Sequence, residues 1–357
     1  MNDAVTLRVN GVEYGGWKEV EISAGIERQA RDFTLSVTDR WPGATNIPRR
    51  IKQGDVCEVY IGADKLLTGH VDATPIRYDG KSVSVGVKGR SKTADLVDCS
   101  AVHKTGQWRN AKIERIAADL AAPFGIQVIA EASTGAAVVE HQIQPGETVF
   151  ECVDRLLTLR QLLATDDANG RMVFVNAGSG GSAATALKYG ENILSADAPL
   201  DYKDVFSNYT VNGQRSGTDE DSGSALSATA SASDAAIARH RPLVIVQNGQ
   251  VNAQICADRA RFERVHRAAK ALETTYTVQG WRQADGSLWL PNQLVRVTDP
   301  VIGFDAELLI VEVTWRKSEE GTRTALRVGP ATGYIPSPEA QKKDKSGDTW
   351  KEAKAVQ

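Results

Sequence analysis

The sequence predicts an α+β multidomain protein that contains two related small antiparallel β-barrels in addition to α+β domains. Near both ends, short stretches alternate apolar and polar residues, and turn residues separate these stretches at intervals of about 8–12 positions. The same order of strands and turns also occurs twice, once towards each end of the chain. These observations favour duplication of one small β domain over an array of short repeats.

Composition limits the classes of protein to which the chain can belong. Of its 357 residues, 42 are Lys or Arg and 45 are Asp or Glu, which gives a net charge of −3. This length predicts two or three domains, and the lack of excess positive charge argues against stable nucleic-acid binding. Aliphatic runs such as Leu308 to Val311 are too short for a membrane span, and the start lacks the apolar region of a secretory signal. We therefore expect the chain to fold in a cytoplasm.

Residues 1–95 are predicted to form the first β-barrel. Val5, Leu7 and Val9 alternate with polar neighbours, and Asn10-Gly11 supplies turn residues for a hairpin. Further alternating stretches follow at 33–37, 56–60 and 83–87. About six short strands separated by turns are typical of a small barrel or sandwich.

Residues 96–195 change in character and are predicted to form an α+β domain. Apolar residues recur at helical spacing over 113–120, and a second helix is expected between 145 and 163. The Asp- and Asn-rich turn at 166–170 then leads into a short strand.

The rest of the chain is predicted to hold the second barrel, an insertion and a tail. The second barrel comprises 196–212 and 276–335. The insertion, 213–275, combines a flexible segment rich in Gly, Ser, Ala and Asp with a helix that begins near 252. The end, 336–357, is polar and rich in Lys, and it is predicted to be a mobile tail.

The two barrels are expected to be copies because one pattern recurs at matched spacing. Residues 51–89 and 290–329 each contain a strand, a Leu-Leu pair, a long strand, an acidic-Gly turn and a final strand. Identity between them is low, so an accidental similarity of two antiparallel meanders is the alternative. If the duplication is real, three chains in a closed ring would place six similar units around one axis. Such a trimeric ring can meet a sixfold object on one side and a threefold object on the other.

No motif assigns a catalytic, cofactor-binding or metal-binding residue, and we expect neither enzyme activity nor a cofactor. The four cysteines and five histidines are scattered, without a CxxC pair or an HExxH motif. The Gly-rich stretch 178–183 fits GxGxxA, but no helix pattern follows it closely enough for a dinucleotide site. Asp166, Asp167 and Asn169 lack the spacing of a calcium loop and favour an Asx turn.

Two further segments carry alternative interpretations. The stretch from Pro145 to Phe150 is similar to the opening of a LysM peptidoglycan-binding module, which leaves glycan binding through 141–165 open. The basic residues of 259–270 could touch nucleic acid. They alternate with acidic residues, however, which favours a solvated or subunit-contacting helix face.

Several short motifs resemble those of the baseplate hub proteins of contractile-tailed phages, most closely the Mu-type members. The resemblance covers about residues 4–330, and late control gene D proteins and the hub-like part of type VI secretion spike proteins are more distant. The motifs are Leu7-Arg8-Val9-Asn10-Gly11, Phe33-Thr34-Leu35, Gly54-Asp55-Val56, Gly89-Arg90-Ser91, Asp95-Leu96-Val97-Asp98, Pro145-Gly146-Glu147-Thr148-Val149-Phe150, Gly280-Trp281 and Asp285-Gly286-Ser287-Leu288-Trp289.

The resemblance implies a homotrimer that acts as the structural hub of a tail baseplate in the virion, assembled in the host cytoplasm. It implies contact with the tail tube protein, the central spike protein and other baseplate proteins. The ring would adapt the hexameric tube to the trimeric spike and let DNA pass during ejection. A peptidoglycan-binding or cell-wall-degrading tail component is the alternative. We expect contact strands in 51–60 and 291–299, and a neutral or acidic lining of the passage.

Overall fold

A computed structural model describes residues 3–38, 51–78, 83–214, 227–247 and 251–337. The chain divides into two compact units. The main unit holds residues up to 201 and from 269 to 336, and the small unit holds 202–268. Strands dominate both, and none of the helices in the described part of the chain is long and apolar enough to cross a membrane.

The N-terminal part of the main unit consists of strands with the alternation that the sequence predicts. Val5, Leu7 and Val9 are buried and their neighbours are half-buried. Asn10 and Gly11 adopt positive φ in the turn that follows, as a tight hairpin requires. The strands are β1 (Val5–Val9), β2 (Val12–Tyr14), β3 (Glu19–Gly25), β4 (Asp32–Thr38), β5 (Val56–Ile61), β6 (Asp64–Ala73), β7 (Ile76–Tyr78) and β8 (Val83–Ser91).

The segment that follows forms α+β structure around a hydrophobic core of its own. Its elements are α1 (Ala94–Asp98), β9 (Gln107–Ala111), α2 (Ile113–Ala121), β10 (Val128–Ala130), β11 (Val138–Gln142), α3 (Val149–Thr158), β12 (Leu163–Asp166) and β13 (Met172–Val175). The two longer helices, α2 and α3, each bury one apolar face at helical spacing. Thr148 and Glu151 close the start of α3 by exchanging side-chain-to-backbone hydrogen bonds.

The remaining elements belong to the second half of the main unit and to the small unit. They are β14 (Leu187–Lys188), β15 (Ile193–Asp197), β16 (Asn208–Gln214), β17 (Ser227–Ser233), β18 (Pro242–Gln247), α4 (Ala253–Lys270), β19 (Thr274–Gln279), β20 (Leu294–Asp299), β21 (Phe304–Ser318) and β22 (Gly321–Gly329). The helix and the final strands lie where the sequence predicts them.

The small unit corrects two expectations drawn from the sequence. The sequence places residues 208–212 in the second barrel, but β16 pairs with β17 and β18 in a separate three-stranded sheet. The segment expected to be flexible, 213–236, contains β17, whose alternating Ala side chains pack against the core of this unit. Abundant Ser and Ala predict flexibility, but pairing with β16 satisfies the backbone of β17, and its small side chains pack against the core of the small unit. Residues 215–226, and the expected tail from 338 onwards, lie outside the described residues.

The strands of the main unit that surround the α+β segment in sequence form one 14-stranded sheet over one shared core. Six strands from the N-terminal part follow the order β1-β5-β6-β8-β4-β3, and six from the C-terminal part follow the order β14-β20-β21-β22-β19-β15. When the six strands of each set are numbered by their order in the chain, their order across the sheet is the same in both sets: first, fourth, fifth, sixth, third, second. The predicted duplication is confirmed at the level of strand order. We call these sets the first β unit and the second β unit.

The register of pairing repeats as well. The matched pairs are Val71↔Gly89 with Ile310↔Val328, and Ala73↔Lys88 with Glu312↔Arg327. The register shift between these pairs also falls at the same place, at Asp72 in one unit and Val311 in the other. Residues can therefore be matched one by one between the units. One difference is that β1 runs antiparallel to β5, whereas β14 runs parallel to β20.

Neither β unit closes into a barrel among the residues that the structure describes. The path of paired strands runs from β15 at one end to β2 at the other without returning. The first β unit and the second β unit are joined in the middle of this path, where β21 pairs with β3. Closed barrels thus stay a prediction, and the observed arrangement is one continuous sheet made of two copies.

Candidate assembly interface

The junction between the two β units shows how copies of this strand pattern join. β3 and β21 pair antiparallel, from Gly25 opposite Glu312 to Val20 opposite Lys317. In the middle, Ile22 lies opposite Trp315, and both side chains are 0% exposed. On the next pair, Arg316 Nε lies 3.1 Å from Glu21 Oε2 at the surface. A buried apolar pair and a surface ion pair therefore lie side by side in this junction.

Several strands of the main unit are paired on one side only within the described ranges, and two of them, β15 and β7, are the counterparts of the strands that form the β3–β21 junction. β15 pairs only with β19, and β7 pairs only with β8. An unpaired edge presents a row of backbone donors and acceptors, which makes it a site for addition of another strand. Apolar side chains accompany both edges, since Ile76 on β7 is 63% exposed and Leu194 on β15 is 51% exposed.

The contact strands expected in 51–60 and 291–299 do not offer such edges. β5 lies between β1 and β6, and β20 lies between β21 on one side and β14 with Ser182 on the other. The backbone groups of β5 and β20 already have partners on both sides, so another strand cannot be added there. The prediction that other proteins bind these strands by strand addition is therefore wrong. Alternation in the sequence looks the same for an edge strand and an interior strand.

A histidine–cysteine pair in the α+β segment has the geometry of a nucleophilic pair but not its ionisation. His141 Nε2 lies 3.2 Å from Cys152 Sγ, and both residues are buried. Burial lowers the pKa of His141 to about 4 and raises the pKa of Cys152 to about 12. Both groups are therefore neutral near pH 7, whereas a nucleophilic cysteine needs a lowered thiol pKa. The pair fits a packing role.

The segment considered for glycan binding, 141–165, forms internal contacts. The Glu147 carboxylate accepts hydrogen bonds from the Gln144 amide at 2.7 Å and from Arg155 Nη2 at 2.9 Å. Arg155 also donates to the Gln142 carbonyl oxygen, which ties α3 to β11. Because the apolar face of α3 is buried in the core of this segment, the LysM-like motif serves here as a helix start.

The other sequence motifs also have structural roles. Asp167 Oδ1 accepts hydrogen bonds from the Asn169 amide at 2.9 Å and the Arg171 amide at 3.0 Å, which is the expected Asx turn. The Gly-rich stretch 178–183 docks on Asn292, whose Oδ1 accepts from the Gly178 amide at 2.7 Å, and the chain continues into a strand. Among the described residues, no group of three or more His, Cys, Asp or Glu could hold a metal ion.

Family models match successive parts of the chain. They are the Mu phage baseplate assembly protein GpP-like N-terminal domain (4–91), the second domain of baseplate hub protein gp44-like proteins (93–176), the third domain of tail protein NMB1110-like proteins (206–262) and the fourth domain of Mu phage baseplate assembly protein GpP (252–337). The baseplate hub protein gp44 of Escherichia phage Mu is 34% identical over 97% of this chain and 93% of its own length. The chain belongs to the Mu-type baseplate hub family. The resemblance seen in the sequence motifs is thereby confirmed.

Solved structures agree with membership of the Mu-type hub family. The 43 kDa tail protein of prophage MuSo2 from Shewanella oneidensis has a TM-score of 0.84 and 32% identity, covering 94% of this chain and 100% of its own. The tail protein from Neisseria meningitidis MC58 has a TM-score of 0.78 and 25% identity, covering 94% of this chain and 98% of its own. These relatives give the chain a structural role in a phage tail baseplate.

Proposed function

We propose that three copies of this chain form the hub ring of a phage tail baseplate, with the two β units of each copy arranged around a central passage. The observation that carries the proposal is the repeated strand order and register of the two units. A trimer of a duplicated chain has threefold symmetry as a whole and near-sixfold symmetry in its β units. One ring can then bind partners of either symmetry.

In this proposal the hexameric tail tube binds to the six similar β units, and the trimeric central spike binds to three whole chains. Each single contact can be modest, because several identical contacts form together and raise the overall affinity. Other baseplate proteins bind around the ring in the virion, after assembly in the host cytoplasm. Each β unit would correspond to a barrel-like element, with 1–95 as the first domain and 96–195 as the α+β domain.

DNA passes through the ring during ejection without being held. We expect the lining of the passage to be neutral or acidic, because a basic lining would bind phosphates and slow the DNA. The net charge of −3 is compatible with that expectation. A filter-binding measurement with double-stranded DNA at low salt should detect no stable complex, and tight binding would contradict this part of the proposal.

Sedimentation velocity over a wide range of concentrations tests the ring directly. We expect a trimer, with electron microscopy of the same sample showing particles that have a central hole. A monomer at every concentration would contradict the proposal. Retention of monomers on purified peptidoglycan would favour the glycan-binding alternative.

A further inference from the structure

We propose that copies of this chain join by antiparallel pairing of β15 of one copy with β7 of the next, which repeats between chains the β3–β21 junction found within one chain. The inference rests on the proposed function, because it names the contact that builds the ring. Its occupant is a second copy of this chain.

The topology of the two β units supports this pairing. β15 takes the place in the second β unit that β3 takes in the first, and each pairs with the third strand of its unit in the same register. β6 and β7 together span 64–78, as β21 spans 304–318, and both stretches pair with the last strand of their unit. Each chain therefore contains two strands of the β3 type, β3 and β15, and two of the β21 type, β21 and the stretch β6–β7. Among the described strands β3 and β21 pair with each other, whereas the matching outer edges of β15 and β7 have no strand partner.

The residues that would face each other between chains are complementary. The matches follow from the register of each β unit. Arg77 lies opposite Ser84 on β8 and Arg316 lies opposite Arg323 on β22, so Arg77 matches Arg316. Asp197 lies opposite Thr275 on β19 and Glu21 lies opposite Thr34 on β4, so Asp197 matches Glu21. The three junction pairs Trp315↔Ile22, Arg316↔Glu21 and Lys317↔Val20 become Ile76↔Ala198, Arg77↔Asp197 and Tyr78↔Ala196 between chains.

Charge supports this pairing. Arg316 and Glu21 form an ion pair within the chain, and the proposal places Arg77 opposite Asp197 with the same signs. Arg77 and Asp197 are both exposed, and neither has an ion-pair partner in the part of the chain that the structure describes. Opposite charges directly across an antiparallel pair stabilise it and fix its register.

Burial supports it as well. Ile76 is 63% exposed, whereas its counterpart Trp315, which lies opposite Ile22 of the other β unit, is 0% exposed. Pairing with β15 would cover Ile76 in the same way, with Ala198 across from it. A large apolar side chain that is exposed where its copy is buried marks a surface that assembly can cover.

Two prolines limit the length of this contact. The next matched pair after Ile76 and Ala198 consists of Pro75 and Pro199, where the internal junction has Thr314 and Ser23. Proline has no backbone N–H, so the ladder of hydrogen bonds ends at this point. The contact between chains is therefore shorter than the contact within a chain. Since it joins two different surfaces, it closes into a ring only if the rotation fits, and three copies complete six units.

Disulfide trapping tests the pairing. Directly opposed residues of an antiparallel pair have Cα atoms about 4.5–5.5 Å apart, within the range of a disulfide. In a Cys99→Ser background, Arg77→Cys combined with Asp197→Cys should give covalent dimers and trimers on a non-reducing denaturing gel. Arg77→Cys combined with Lys104→Cys is the matched control and should give neither. If the first pair stays monomeric on the gel while sedimentation shows a trimer, the inference is wrong and the proposed function stands.

Charge reversal gives a second, reversible readout. Arg77→Glu and Asp197→Arg should each weaken trimer formation by about tenfold or more, because like charges then face each other. The double variant should recover it, and Lys104→Glu, at an exposed position off both edges, should have no effect. Single reversals without effect would overturn the inference. A monomeric unmodified protein at every concentration would overturn the proposed function as well.

Discussion

The two β units share strand order and register but differ in what covers their edges. In the first β unit, β3 pairs with β21, whereas its counterpart β15 is left without a partner on its outer side among the described strands. Joining the two β units within one chain uses the edge of β3 and the edge of β21. It leaves the matching edges of β15 and β7 without a partner among the described strands. In the proposed ring these two remaining edges pair between neighbouring copies.

The units also fill the same space with different residues. Phe33 lies opposite Gly89 in the first β unit, and an added Cβ at Gly89 would lie 2.7 Å from the Phe33 ring. At the matched place in the second β unit, Thr274 lies opposite Val328. One large residue and one glycine in the first β unit are thus replaced by two residues of intermediate size in the second, which redistributes volume between the strands as close-packed interiors tolerate. This exchange explains how sequence identity between the units can be low while topology is the same.

The largest difference between matched positions in the free energy of unfolding is expected for alanine substitutions of Trp315 and Ile76. Trp315→Ala should lower the free energy of unfolding by about 3–5 kcal/mol, because it removes a fully buried aromatic side chain. Ile76→Ala should change it by less than about 0.5 kcal/mol in the monomer, because that side chain is mostly exposed. Urea unfolding below the concentration of assembly measures both. Equal losses would show that the edge of β7 is already covered within one chain.

The sequence could predict the repeat because turn residues and alternation specify strand order and face. It could not predict the β3–β21 junction, because a strand such as β3 carries the same alternation whether its outer edge is paired or open. The signals that bear on the edges were Pro75 and Pro199, which acquire meaning only once the register places them opposite one another. The small unit was missed for a related reason, since Ser- and Ala-rich composition resembles flexible chain until its pairing partner is known.

The α+β segment is outside the duplication and should respond differently to acid. Burial lowers the pKa of His141 from 6.5 to about 4, so between these values the unfolded chain binds a proton that the folded chain does not. The stability contributed by neutral His141 is therefore fully present above pH 6.5 and is lost as the pH falls towards 4. The loss should approach about 3 kcal/mol.

Urea unfolding at pH 7 and pH 5 measures the effect of His141. His141→Gln should flatten the pH dependence, while Gln142→Ala on the same strand should keep it. An unchanged dependence in His141→Gln would show that acid acts on other groups, including those of the β units.

The exchange of volume between the units can be tested by a double-mutant cycle. Gly89→Val should cost about 1–3 kcal/mol, because the new side chain meets the Phe33 ring and the His70 carbonyl oxygen. Adding Phe33→Thr copies the pair found in the second β unit and should make Gly89→Val less harmful than it is alone. Additive losses in the cycle would show that the backbone of β6, and not the ring, sets the limit.

The smallest effect on stability should come from the ion pair of the internal junction. Arg316 and Glu21 are 56% and 52% exposed, so Arg316→Ala should lower the free energy of unfolding by only about 0–1 kcal/mol. Within one chain, the buried pair beside it and the covalent connection keep β3 and β21 together. Between chains, the matched Arg77 and Asp197 belong to a shorter contact that has the smaller apolar pair of Ile76 and Ala198 and no covalent connection, so the same kind of ion pair should control assembly strongly. A loss above about 2 kcal/mol for Arg316→Ala would contradict this view, because the internal junction would then depend on its charges.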